Sequence, residues 1–187
     1  MSEHVDLSGH FLMAMPGMVE GELAGTVIYV CEHSERGALG LVINRPTDLS
    51  LGGLLEQVDL EQDSECQQDL PVHFGGPVQS DRGFVLHKPA GDFSSSIRLG
   101  ETLALTTSRD VLQAVASGHG PEKIFVTLGY AGWGAGQLEQ ELAQNAWLSV
   151  AAQESIIFDE PAETRYPAAM RLLGVDPAML AGSAGHA

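Results

Sequence analysis

The sequence predicts an α+β domain built on a curled, largely antiparallel sheet, and three observations carry that prediction. Apolar β-branched runs crowd the first half and helical patterns gather late, without the regular β-α-β alternation of a doubly wound sheet. Residues 25–31 and 38–43 are separated by Glu32-His-Ser-Glu-Arg-Gly37, a connection of hairpin length, which makes them adjacent antiparallel strands. At 187 residues, with no internal repeat or linker, the chain has the size of one domain and can bury about 70% of its unfolded surface.

The elements follow in order. Gly9-His-Phe-Leu-Met-Ala-Met15 is a short apolar strand that Pro16-Gly17 ends as a turn. After the hairpin, Leu51, Leu54, Leu55 and Val58 recur with helical spacing behind Ser50, a residue suited to capping an N-terminus. Residues 59–69 are acidic and rich in Gln, and read as an exposed, dispensable loop. Residues 71–74 and 83–87 are strands on either side of a turn at 75–82, and 103–106 is another short strand. Ser108 caps a helix over 109–117, with Val111, Leu112 and Val115 inward, and Gly118 and Gly120-Pro121 stop it. Lys123-Ile-Phe-Val-Thr-Leu128 is a buried strand, and the glycines at 129, 132, 134 and 136 turn it into a helix that starts at Gln137. Residues 146–150 and 155–158 are short apolar pieces, and 161–173 is a helix with proline at its first turn and Gly174 at its end. Asp176-Pro177 opens a last small helix; residues 1–6 and 183–187 read as flexible ends.

Composition narrows the function. Nine basic residues face 25 acidic ones, a formal charge of −16, and no two basic residues are adjacent, so direct DNA binding is disfavoured. Cys31 and Cys66 form no CxxC or zinc spacing, the N-terminus lacks the basic and apolar regions of a signal peptide, and no apolar run approaches 18 residues. A reduced, cytoplasmic protein without metal, cofactor or membrane contact is the expectation.

The glycine junction is the first candidate site. Its amides could face an anion, with Tyr130 and Trp133 as walls and Gln137 at the helix start, or the glycines could simply let two elements pack closely. Asn44 and Arg45 stand at a strand exit before Pro46, and Arg82 follows the Gly75-Gly76-Pro77 turn; either arginine could fork onto a carboxylate or phosphate, or pair with a surface acid. Cys31 could be a thiolate beside His33, since alternate strand residues share a side, or a small apolar filler. Ser108 and His87 are a second nucleophile and base, although helix capping accounts for Thr106, Thr107, Ser108 and Asp110 more simply. The histidines, among them His10 and His73, show no HxH or HxxxH spacing for a metal.

Taken together, Phe11-Leu-Met-Ala-Met-Pro-Gly-Met18, Val30-Cys-Glu-His33, Gly37-Ala-Leu-Gly-Leu-Val-Ile-Asn-Arg-Pro46, Gly75-Gly-Pro77, Arg82-Gly-Phe-Val-Leu-His87, Thr107-Ser-Arg-Asp-Val-Leu112, Leu128-Gly-Tyr-Ala-Gly-Trp133, Gly136-Gln-Leu-Glu139 and Asn145-Ala-Trp-Leu148 resemble the YqgE/AlgH family of bacterial proteins. The register holds from about residue 7 to Gly185-His-Ala187. The resemblance implies an α+β domain whose bent sheet closes into a pseudo-barrel. It implies no established activity, and brings a description as a transcriptional regulator linked to alginate control in pseudomonads. With no helix-turn-helix pattern, that role is expected to be indirect. The expected function is therefore a cytosolic regulatory or ligand-binding protein. Its partners are a small anionic ligand at Asn44, Arg45, Gly75, Gly76, Arg82, Tyr130, Trp133 and Gln137, or a protein. The alternative is a small-molecule enzyme at the same turns, which requires a base nitrogen within hydrogen-bonding reach of Cys31 or Ser108.

Overall fold

The structure, a computed structural model, describes residues 6–63 and 66–174. The helix expected at Asp176 and the flexible end at 183–187 lie outside the described residues, as does nearly all of the segment 1–6. In chain order the elements are β1 (His10–Ala14), β2 (Val27–Ser34), β3 (Gly37–Val42), β4 (Pro46–Ser50), α1 (Leu51–Gln57), β5 (Pro71–Phe74), β6 (Val78–Lys88), β7 (Ser96–Leu99), β8 (Leu103–Thr106), α2 (Arg109–Ala116), β9 (Lys123–Gly134), α3 (Gln137–Ala143), β10 (Trp147–Ala151), α4 (Glu154–Phe158) and α5 (Ala162–Leu172). The fold class is α+β; β5 pairs parallel with β9, and β1–β10, β1–β2, β2–β3, β3–β9, β4–β5, β6–β8 and β7–β8 pair antiparallel.

The chain divides into two compact units, Met1–Arg45 with Gly75–Val78 and Tyr130–Ala187, and Pro46–Phe74 with Gln79–Gly129. In the first unit β10, β1, β2 and β3 form an antiparallel ladder that the end of β9 extends, Gly37 pairing with Gly134 and Gly40 with Ala131. Phe11, Leu12 and Met13 are consecutive and all fully buried, so both faces of β1 are covered. The helix α5 packs on β1 and β2, where the Tyr166 hydroxyl donates to the Ala14 carbonyl at 2.6 Å. Arg165, only 8% exposed, donates to the Ile43 and Glu160 carbonyls.

In the second unit α1 and α2 bury Leu51, Leu54, Leu55, Val111 and Val115 in one cluster with Val72, Val85 and Val126. Each such side chain contributes about 1.5–3 kcal/mol of transfer free energy. Ser50 caps α1 as expected, its Oγ accepting from the Gly53 amide at 3.1 Å.

Several elements run longer than local patterns suggest. The connection expected at 32–37 is mostly strand, and a bulge between Val30 and Glu32 absorbs one residue of register. Pro46–Ser50 is a strand paired with β5, β6 begins at Val78 inside the expected turn, and β7 is an edge strand on β8 that no local pattern announces. Most consequential, β9 continues to Gly134, so the turn expected at 129–136 shrinks to its last two residues.

Candidate functional site

The extended end of β9 is approached closely by glycines from elsewhere in the chain. A Cβ on Gly76 would lie 2.1 Å from the Tyr130 carbonyl carbon, and one on Gly37 would lie 2.2 Å from the Trp133 carbonyl oxygen. A Cβ on Gly132 would press on the Tyr130 ring at 3.2 Å. Gly129 and Gly136 have the positive φ of turn glycines, 81° and 77°, and at Gly136 a Cβ would meet nothing within 4 Å. The helix after it has 7 residues, and the amide that would head an anion cradle, Gly134 N–H, donates to Gln137 Oε1 at 3.0 Å.

Trp133 is buried at the end of β9. It is 6% exposed, and its indole N–H donates to Glu141 Oε1 at 3.0 Å. Trp147 N–H donates to the same oxygen at 2.9 Å, and Gln137 Nε2 donates to Glu141 Oε2 at 3.0 Å. The structure thus joins Trp133 and Gln137 through a carboxylate that the sequence does not single out. Its one signal is helical spacing, which sets Gln137 and Glu141 four residues apart.

Asn44 and Arg45 extend the sheet. Asn44 Oδ1 accepts from the Val27 amide at 2.9 Å and Nδ2 donates to the Gly25 carbonyl at 3.1 Å, continuing the ladder where β3 has ended. Arg45 Nη2 donates to the Ala24 carbonyl at 2.6 Å, and the Gly75 carbonyl accepts from the Val42 amide. Arg82 belongs to the second unit, where it donates to Gln79 Oε1 and Thr107 Oγ1 at 3.2 Å each and lies 5.8 Å over the Phe84 ring.

The nucleophile–base pairs expected from sequence do not form. Cys31 and His33 are both buried in β2, but the Cys31 thiol donates to the Tyr29 carbonyl two residues back, and burial followed by the Glu32 charge pushes its pKa well up. His33 Nδ1 accepts from the Leu7 amide at 3.0 Å, which places the ring proton on Nε2, 2.7 Å from Glu139 Oε1. Ser108 occupies the N-cap position of α2 without accepting from the helix; its hydroxyl donates to Asp110 Oδ1 and accepts from the Ser95 amide at 3.0 Å. Asp110 itself accepts from the Val111 amide, and both the amide and hydroxyl of Ser94 bond to its other oxygen, so the carboxylate caps the helix instead.

His87 has a hydroxyl partner, but a different one. Fully buried, it lies 3.0 Å by Nδ1 from the Pro89 carbonyl and 2.6 Å by Nε2 from Thr106 Oγ1, which is itself 2.6 Å from Ser96 Oγ. A carbonyl can only accept, so Nδ1 carries the proton and Nε2 accepts from Thr106; Thr106, its one proton committed, accepts from Ser96. Burial lowers the His87 pKa, against a smaller opposing effect of the Pro89 bond, and keeps the ring neutral. Ser96 is hard to find from sequence because β7 is, although three successive serines at 94–96 are visible. Of the other histidines, buried His73 lies 4.3 Å from the Phe125 ring centroid; among the described residues no three His, Cys, Asp or Glu side chains gather as for a metal ion, and no helix is long and apolar enough to cross a membrane.

The described residues of the acidic loop, 59–63 and 66–69, are largely exposed but tied down. The Asp63 amide donates to the Ala116 carbonyl at 2.7 Å, Gln62 Nε2 to the Gly52 carbonyl at 2.9 Å, and the Gly52 and Leu51 amides to the Gln68 and Leu70 carbonyls. Glu56, Asp59, Glu61, Asp63 and Asp69 are all exposed.

Known proteins resemble this chain along nearly all its length. A family profile described as AlgH-like (DUF179) matches residues 11–178. A UPF0301 protein of Bordetella avium strain 197N is 74% identical over 182 residues, 97% of this chain and 92% of its own. A UPF0301 protein of Burkholderia cenocepacia strain HI2424 is 56% identical over 188 residues, 100% of this chain and 98% of its own. The solution structure of the AlgH protein from Pseudomonas aeruginosa superposes with a TM-score of 0.81 at 51% identity, covering 97% of this chain and 96% of that one. A crystal structure of a Corynebacterium diphtheriae protein, 21% identical with a TM-score of 0.67 over 91% of this chain and 89% of its own, shares the fold.

Proposed function

The chain belongs to the AlgH-like family, and from that premise we propose that it is a cytoplasmic regulatory protein acting through a basic protein partner rather than by direct contact with DNA. The observation that supports this reading is the acidic segment: no Lys or Arg occurs between Arg45 and Arg82, while five exposed carboxylates stand on or beside backbone that hydrogen bonds hold at Glu56, Asp59, Asp63 and Gln68. A pre-ordered field of one sign steers a cationic partner and repels phosphate backbones. Two of the nine basic residues, Arg45 and Arg165, are committed to backbone carbonyls, which leaves still fewer to grip a nucleic acid. Asn44, Arg45 and Gln137 hold internal hydrogen bonds, which favours a protein partner over a small anionic ligand at those residues. Two free cysteines suit a reducing compartment.

Crosslinking in cells followed by mass spectrometry tests the reading, comparing the wild-type chain with a Glu56→Lys, Glu61→Lys, Asp69→Lys variant. A basic protein recovered with the first and lost with the second is the expected result. An unchanged partner set, or tight salt-sensitive binding of promoter DNA in a gel shift at about 50 mM salt, overturns it.

A further inference from the structure

The hydroxyl chain in the second unit has no place in a charge-steered contact. It runs from the exposed Ser96 hydroxyl through the fully buried Thr106 hydroxyl to the buried His87 imidazole, with both links at 2.6 Å. The proton on Nδ1 gives it one direction, so each hydroxyl donates inward and the outermost oxygen gains electron density. Sheet register supports the alignment: Ser96 pairs with Thr106 across β7 and β8, and Leu86 and His87 pair with Leu105 and Ala104 across β6 and β8. The far side of the ring is anchored by the Pro89 carbonyl, and the Phe93 ring stands edge-on at 5.3 Å. The imidazole is therefore fixed in position and tautomer, which a general base requires.

We propose that Ser96 is a nucleophile, activated through Thr106 by His87, that takes an acyl group from a small neutral carboxylic ester. Ser96 Oγ bonds to the ester carbonyl carbon as its proton passes to Thr106 Oγ1 and the Thr106 proton passes to His87 Nε2. Collapse of the tetrahedral adduct breaks the bond to the alcohol oxygen, which takes the Thr106 hydroxyl proton directly as Thr106 Oγ1 recovers a proton from His87 Nε2. The products are acyl-Ser96 and free alcohol, and water then releases the acid. The charge of −16 selects against anionic esters. Pro89 offers the imidazolium a neutral carbonyl where hydrolase triads offer a carboxylate, so both the acylation and the deacylation step are slow beside theirs.

The full chain is incubated with p-nitrophenyl acetate, quenched in acid and mapped by peptide mass spectrometry. One acetyl group on Ser96 is expected, absent from Ser96→Ala and unchanged in Ser95→Ala. Thr106→Val, which keeps the shape of the buried side chain, slows acetylation by about 100-fold, and Thr106→Ser restores it to within about threefold. The rescue separates proton transfer from packing, and if Thr106→Val does not fold, His87→Gln takes its place with a loss of similar size expected, a wild-type rate overturning the proposal. The proposal falls if acetylation misses Ser96, if Thr106→Val reacts at the wild-type rate, or if Thr106→Ser is slowed by tenfold or more.

Discussion

Trp133 and Trp147 meet edge to face, ring centroids 6.0 Å apart at 80°, and both indole N–H groups converge on Glu141 Oε1. Neither indole is more than 6% exposed, so neither donor can turn to water if the carboxylate is lost. Glu141→Ala should therefore cost about 2–4 kcal/mol, the penalty of two buried donors left unpaired, whereas Glu141→Gln keeps an acceptor oxygen and costs about 1 kcal/mol. These are the only two tryptophans in the chain, so urea unfolding followed by indole emission reads this site directly. Equal midpoints for wild type and Glu141→Ala would show that the shared acceptor does not matter.

Glycines at 76 and 136 make a sharper pair. Both have positive φ, 151° and 77°, but a Cβ meets the Tyr130 backbone at 2.1 Å in the first and nothing within 4 Å in the second. Gly136→Ala should lose only the left-handed backbone penalty, about 1–2 kcal/mol. Gly76→Ala adds a clash with backbone that no rotamer can relieve, and should lose about 3 kcal/mol or more or fail to accumulate as folded protein. Comparing the two by thermal melting checks the close-approach account, which fails if Gly76→Ala is the milder change.

That contrast also explains which features of the fold are legible in the amino-acid sequence. The period of α1, the Ser50 cap and the β5 strand are local, set by side chains within a few residues, and they appear where expected. The run 129–134 misleads because its glycines have the local signature of a turn, while pairing with the distant strand at 37–40 keeps it extended, and it is Gly37 and Gly76 that approach its backbone closely. The same limit governs the site. Ser108 beside Asp110 is visible in sequence and proves to be a local cap, whereas His87, Ser96 and Thr106 meet only through strand register. Asn44 and Arg45 are legible as polar residues at a strand exit, but not as partners for the carbonyls and amide of residues 24–27.

Thiol chemistry offers a separate check. Cys31 is 3% exposed and its thiol is held protonated by burial and by the Glu32 charge, so in the folded protein it should not react with iodoacetamide at about pH 8, while denaturation exposes it. Cys66 is partly buried, and its thiol is also raised by burial and by Asp63, so it should react slowly. Peptide mapping after alkylation distinguishes them. Rapid native labelling of Cys31 would revive it as a nucleophile.

Acid should weaken the fold in a window assignable to His87. Its folded pKa lies below the ordinary 6.5, so the unfolded chain binds the extra proton first. The contribution of neutral His87 is complete above 6.5 and is lost as pH falls from there through the lower folded value. Asp110 behaves separately: hydrogen bonds from Ser108 and Ser94 lower its pKa from 3.8, so its contribution persists above 3.8 and disappears only in stronger acid. Urea midpoints measured from about pH 7.5 to about pH 5 should thus fall in the wild type and fall less in His87→Gln, whose own lower stability sets the baseline. Parallel slopes would mean that the buried imidazole is protonated as easily in the folded protein as in the unfolded chain, and the direction assigned to the Ser96–Thr106–His87 chain would be lost with it.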